Sequence, residues 1–286
     1  MSNTILDTDL SLAKKEYVEL GTELQLFRGN TISSTKCRLR GTDIRVDNTI
    51  PGDARTKIDE SGKPIILVNT DKCLAHAEKH YLDEVLFHEF SHINNEVQRD
   101  LYVYRANRIM GFKEDFKRFA TDLLVRYPEW GFILLDEIIA QYTAQQMTEL
   151  KHGKGTYKPF DFVMTDITKT KYALGTKTTD YPECHKFADR FAKTVYDDED
   201  PMFELCKDAY DHNLLDNIFN RYKNIPNGVE ELYHLLGYMG NIMLAIYEKK
   251  YGFRYGEASD FNTKPENVEK SMILALKMSD RLAVRK

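Results

Sequence analysis

Two imidazoles and a carboxylate fall within five residues of this chain, in His88-Glu89-Phe90-Ser91-His92. On an α-helix, residues four apart share one face with Cβ atoms roughly 5–6 Å apart, so His88 and His92 can close on a single metal ion. Glu89 follows His88 directly and projects beside that ion, where its carboxylate can take a proton from water activated by the metal. The spacing therefore points to metal-assisted hydrolysis.

A bare HExxH also arises by chance, on a surface helix that happens to carry two histidines. The neighbours here are Val85, Leu86, Phe87, Phe90, Ser91 and Ile93, all uncharged. A surface helix carries charges at several such positions, whereas a helix buried beneath a cleft does not.

A catalytic zinc takes three protein ligands and keeps a position open for water. The continuation HExxHxxGxxH would need Gly and His where this chain has Asn95 and Gln98. The other common solution is a glutamate from a later helix, and the helix expected from 132 to 151 offers Glu137. Ala140 and Ala144 share its face, so small side chains would let that helix approach the motif helix closely. Asp136, about 100° around the helix, is a candidate to support a ligand. An acidic, solvated helix start is the plainer reading of the pair. Glu96 is a reserve ligand, sharing the face of His92 if the motif helix continues.

These residues need elements to hold them, and composition allows for that. The chain has 286 residues, 42% hydrophobic and 30% charged, enough for a substantial core in one or two domains. A formal net charge of −5 argues against a dedicated nucleic-acid binder, since no excess of Lys and Arg exists to neutralise phosphates. The start, Met1-Ser2-Asn3-Thr4-Ile5-Leu6-Asp7, has no secretory signature, which predicts a cytoplasmic protein if Met1 is the native start. No apolar run reaches the roughly 20 residues of a membrane span; Leu232 to Tyr247 reads as a core helix. Cys37, Cys73, Cys184 and Cys206 form no CxxC pair and are expected as buried, reduced thiols.

Along the chain, residues 9 to 20 read as a helix stopped by Gly21, and 37 to 47 as two half-buried strands around a Gly41-Thr42 bend. A polar, turn-rich segment covers 51 to 63, followed by a strand at Ile65-Ile66-Leu67-Val68-Asn69. That strand either pairs with substrate backbone or is a plain core strand. Helices follow over 80–93, 96–110, 112–127 and 132–151. A loop region from 157 to 179, with a short strand at 162–164, precedes helices over 182–196, 201–222, 229–250 and 265–283. Pro182 and Pro265 fall near first helical positions. The expected fold class is α+β with helix dominant, in an N-terminal lobe 1–150 carrying the metal site and a helical lobe 151–286.

His88-Glu89-Phe90-Ser91-His92, with Glu137 leading an E-x-x-A-x-x-x-A helix, resembles the zincin metallopeptidases, in the gluzincin branch whose third ligand is glutamate. The likeness covers residues 65 to 150 or so. It implies a small twisted sheet over the motif helix, with a mostly helical second lobe forming the far wall of a cleft. It implies Zn2+ on His88, His92 and Glu137, with Glu89 as general base towards a peptide or protein substrate. It also implies a Tyr or His that stabilises the oxyanion; by chain order Tyr181 and His185 are candidates, with Tyr157, Tyr172 and His152 left open. His76, His80, His212 and His234 belong to no metal-binding motif and are read as surface or core histidines.

Two other readings remain at this stage. A zincin-like regulatory or interaction protein, acting on one dedicated partner or merely stabilised by metal, would account for the large helical half. A metal-free helical protein with a chance motif is the third.

Overall fold

The structure, a computed structural model, describes residues 3–75, 80–95, 123–125, 127–153, 190–251 and 264–285. Among these residues it is helix-dominated with one small mixed sheet, an α+β arrangement. Contacts divide the chain into two compact units, Met1–Glu96 with Ile139–Pro159, and Val97–Ile138 with Phe160–Lys286. Each unit is thus assembled from two stretches of chain.

The first unit opens with α1 (Asn3–Glu23) and α2 (Asn30–Gly41), then strands β1 (Asp43–Val46), β2 (Ala54–Ile58) and β3 (Pro64–Val68). Next come α3 (Thr70–Ala75) and α4 (Tyr81–Asn94), the helix carrying the motif. Gly21 does not stop α1. It lies inside the helix, because a Cβ there would sit 2.1 Å from the ring of Phe27, which folds back onto it. The turn is made further on, by Gln25 at φ 61°.

The strand expected at 37–41 is helical instead. Alternation of Cys37 and Leu39 with Arg38 and Arg40 is too short a pattern to separate period 2 from period 3.6. Thr35 and Leu39, four apart, are the buried positions, while Cys37 is exposed, contrary to the expectation of a buried thiol. Cys73 and Cys206 are buried and free, and Cys184 lies outside the described residues.

The sheet order is β1-β3-β2, with β1 parallel and β2 antiparallel to β3. Strand β3 is central, as its apolar Ile65, Ile66 and Val68 require. Both of its edges are spent on neighbouring strands, so it cannot receive substrate backbone, and the plain core reading holds. Strand β2 was hidden in the polar segment 51–63, because Arg55, Lys57 and Ile58 are exposed on a sheet edge. It joins β3 through a turn at 59–63, where Asp59 Oδ1 accepts from the Ser61 N–H, the Ser61 hydroxyl and the Lys63 N–H.

Helix α5 (Pro128–His152) starts four residues before the expected position, with Pro128 at its first turn. Gly131 is therefore not its opener. It is a close-approach site in the second unit, where a Cβ would lie 2.2 Å from the Leu236 carbonyl oxygen. Among the described residues, this unit further holds a helical stretch at 190–195, α6 (Pro201–Tyr210), α7 (Leu214–Tyr222), α8 (Gly228–Tyr251) and α9 (Pro265–Val284). The single helix expected over 201–222 breaks where His212 adopts φ 60°.

The apolar stripe of α8 is buried from Leu232 to Met243, and no helix among the described residues is long and apolar enough to cross a membrane. Gly237 and Gly240 on α8 face Val125 and Tyr127, and the Asn241 amide donates to the Leu124 carbonyl and to Ser271 Oγ. The helix expected at 96–110, residues 112–122 of the helix expected at 112–127, the loop and short strand of 157–179, and Pro182 lie outside the described residues, while Leu123–Val125 forms a short 3-10 turn.

Candidate metal centre

Helix α4 is held in place on several sides. Tyr17 on α1 packs its ring against Phe87 and Phe90 and donates its hydroxyl to Ser91 Oγ, 3.0 Å away, while Ser91 donates to the Phe87 carbonyl. At the other end of the motif, Thr35 donates to Asn94 Oδ1 at 2.8 Å, and the Arg38 guanidinium donates to the Asn94 carbonyl at 2.7 Å. A cation at a helix C-terminus also complements the helix dipole. The helix ends at Asn94, so Asn95, at the position read as a glycine in the longer zincin motif, is here the helix cap.

Val85, Leu86, Phe87, Phe90 and Ser91 are buried as their uncharged character required, and Ile93 is half-buried. On the same helix, His88 and Glu89 are 6% and 8% exposed, so the chemistry-bearing side chains are sheltered together. The two imidazoles meet at an interplanar angle of 83°, with their Nε2 atoms 2.9 Å apart.

His88 is oriented from its far side. Its Nδ1 lies 3.0 Å from Gln141 Oε1, and the Gln141 amide nitrogen donates to the Glu84 carboxylate. The order of this relay is dictated by chemistry. A carboxylate accepts only, so Gln141 must turn its NH2 to Glu84 and its carbonyl to His88. His88 then carries its proton on Nδ1 and presents a lone pair at Nε2, the form a metal ligand needs.

Glu137 stands one turn before Gln141 on the unbroken helix α5, with Ala140 and Ala144 buried without exposure on the same helix. One nitrogen each from His88 and His92 and a carboxylate oxygen of Glu137 lie within 4.8 Å of one another. Tetrahedral zinc with bonds of 2.0–2.1 Å holds its donors about 3.3 Å apart, so the set fits such an ion with small adjustments. Glu137 is nine residues inside α5, which removes the helix-start explanation for its charge.

Glu89 points towards the sheet. The Thr56 hydroxyl of β2 donates to Glu89 Oε2 at 2.5 Å, a charge-assisted bond that fixes the carboxylate. Nearby on α3, burial first and then the Asp53 and Glu89 carboxylates push the Cys73 thiol up to about 12, so this cysteine stays protonated. Burial and Asp53, to which it donates at 3.1 Å, likewise raise the Tyr81 phenol.

Gln141, Glu84 and Thr56 were not singled out from sequence. Gln141 has a readable signal, since it lies four residues after Glu137 on the face already marked by that candidate ligand; the sequence reading offers Asp136 for that supporting role. Glu84 and Thr56 had none, because only pairing of β2 and packing of α5 bring them in. Tyr181, His185, Tyr157, Tyr172, Glu96 and His76 lie outside the described residues. His152 lies on Asp83 and stacks on His80, His234 is half-buried between Tyr233 and Tyr238, and His212 occupies a turn. No family model, no curated protein and no solved structure matches this chain.

Proposed function

We propose that the chain is a zinc-dependent metallopeptidase with a zincin-like core, hydrolysing peptide bonds in a peptide or protein substrate. The observation that carries this reading is the convergence of His88, His92 and Glu137 beside a Glu89 held by the sheet. His88 Nε2, His92 Nε2 and the Glu137 carboxylate would hold Zn2+. When bound, the ion would supply a lowered pKa for water and polarisation of the scissile carbonyl.

The protein's own residues do the rest. Glu89 accepts a proton from the attacking water at its carboxylate and delivers it to the leaving amine as the C–N bond breaks. Thr56 keeps that carboxylate in one rotamer, so the proton acceptor does not have to be ordered in each turnover. Glu84 and Gln141 hold His88 in the tautomer with a free Nε2. The contact of β2 with α4 agrees with a small sheet laid over the motif helix.

Glu89→Gln tests the reading. The variant should keep stoichiometric zinc while hydrolysis of unstructured peptides falls to background; undiminished turnover would overturn the mechanism.

A further inference from the structure

A second group of ligand atoms lies wholly within the first unit. His80, at the N-cap of α4, Asp83, in its first turn, and His152, at the last residue of α5, offer two imidazole nitrogens and a carboxylate oxygen within 4.8 Å of one another. All three side chains are half-buried, so the group is shielded yet reachable by an ion.

The contacts within it are specific. His152 Nε2 is 2.7 Å from Asp83 Oδ2, and the rings of His80 and His152 stack with centroids 3.5 Å apart and planes within 12°. An imidazole binds a metal through a ring nitrogen, and each of the two rings brings one to the group. The ligand atoms of the three residues lie within 4.8 Å of one another, against the separation of about 3.3 Å that two ligands keep on one tetrahedral ion. Parallel planes send the lone pairs out side by side, and convergence needs a rotation about χ2, a broad and soft torsion in histidine.

Lys151 is the competitor. Its ammonium lies 2.8 Å from the same Asp83 oxygen and 2.8 Å from Glu16 Oε2. An ion taking Asp83 leaves Lys151 its partner on α1, so entry does not strand a charge.

We propose that His80, Asp83 and His152 form a second site for a divalent transition metal of the zinc class, separate from the His88 centre. Two imidazoles and one carboxylate suit zinc, nickel or copper rather than magnesium or calcium. The ion joins the start of α4 to the end of α5, the two helices on which the residues of the first centre stand. Its role is structural, a clamp that holds α4 and α5 in register; the sequence could not show it, because His152 is far from His80 in the chain and no motif links them.

The test uses the full chain with zinc alone as the probe, dialysed to equilibrium at micromolar free zinc and measured by elemental analysis. Both His80→Ala and His152→Ala should bind one equivalent less than the unsubstituted chain and lose part of its zinc-dependent rise in Tm. His80 makes no side-chain cap bond, so its variant serves if the other fails to fold, with far-UV circular dichroism as the control. Zinc content equal to that of the unsubstituted chain in the folded variants overturns the site and leaves a polar network of Asp83, Lys151 and His152. The readout is a difference of one equivalent, so it stands whether or not the His88 centre binds zinc.

Discussion

His88 Nδ1 and Gln141 Oε1 lie 3.0 Å apart, joining the motif helix to a residue 53 positions later in the chain. Through this bond the buried Glu84 carboxylate decides which nitrogen of His88 is protonated. On the proposed zinc reading, His88 Nε2 is thus prepared by two residues that lie outside the ligand set.

Gln141→Leu should therefore weaken zinc binding by roughly 10- to 100-fold while leaving the first ligands in place. Competition with a chromophoric chelator measures it. Glu84→Gln should cost less, since a neutral amide can still accept from Gln141 but no longer dictates its orientation. Equal affinity in Gln141→Leu and the unsubstituted chain would mean that the relay does not prepare His88.

Thr56→Val removes the hydroxyl on Glu89 without changing the shape of the side chain. A hydrogen bond to a charged group contributes about 1.5–3 kcal/mol, so kcat should fall roughly tenfold or more. Zinc content and KM should stay close to those of the unsubstituted chain, because Thr56 touches neither ligand. A fall in zinc content instead would assign Thr56 to metal retention.

The thiols give a pH-dependent test. Cys73 is pushed up to about 12, so almost no thiolate exists there at pH 8, whereas Cys37 is exposed. In a Cys184→Ser background, a disulfide reagent should titrate one thiol in the native chain and three after denaturation. The sign for stability follows from the same shift. The folded state holds the Cys73 proton more tightly than the unfolded state, so this contribution is present below the ordinary thiol range and fades as pH rises towards 12.

Gly240→Ala sets two effects against each other. Alanine is a better helix former than glycine by about 1 kcal/mol, but a Cβ here would lie 2.1 Å from the Tyr127 carbonyl oxygen. Contact with backbone should win, and denaturant unfolding should show a net loss of about 1–3 kcal/mol. A gain in stability would show that the backbone at Tyr127 yields without cost.

Much of the site was legible because a motif on one helix is a local object. The spacing of His88 and His92 fixes their common face through the helical repeat, and uncharged flanks mark burial. The helices 81–94, 228–251 and 265–284 were readable for the same reason, as long periodic patterns with Pro or Asn at their ends. Where patterns were short or polar, they misled. Residues 37–41 fit two periods at once, and β2 has an exposed edge that carries little hydrophobic signal.

The sequence by itself determined which groups share a local frame: two imidazoles on one helical face, a carboxylate beside them, and a later glutamate followed by alanines on its own face. Tertiary structure decided how those groups are held. Gln141 and Glu84 set the tautomer of His88, Thr56 fixes Glu89, and the end of α5 brings His152 to His80 and Asp83. The reason is physical. A helix fixes neighbours at three and four residues, but a hydrogen bond between side chains 33, 53 or 69 positions apart depends on how separate elements pack.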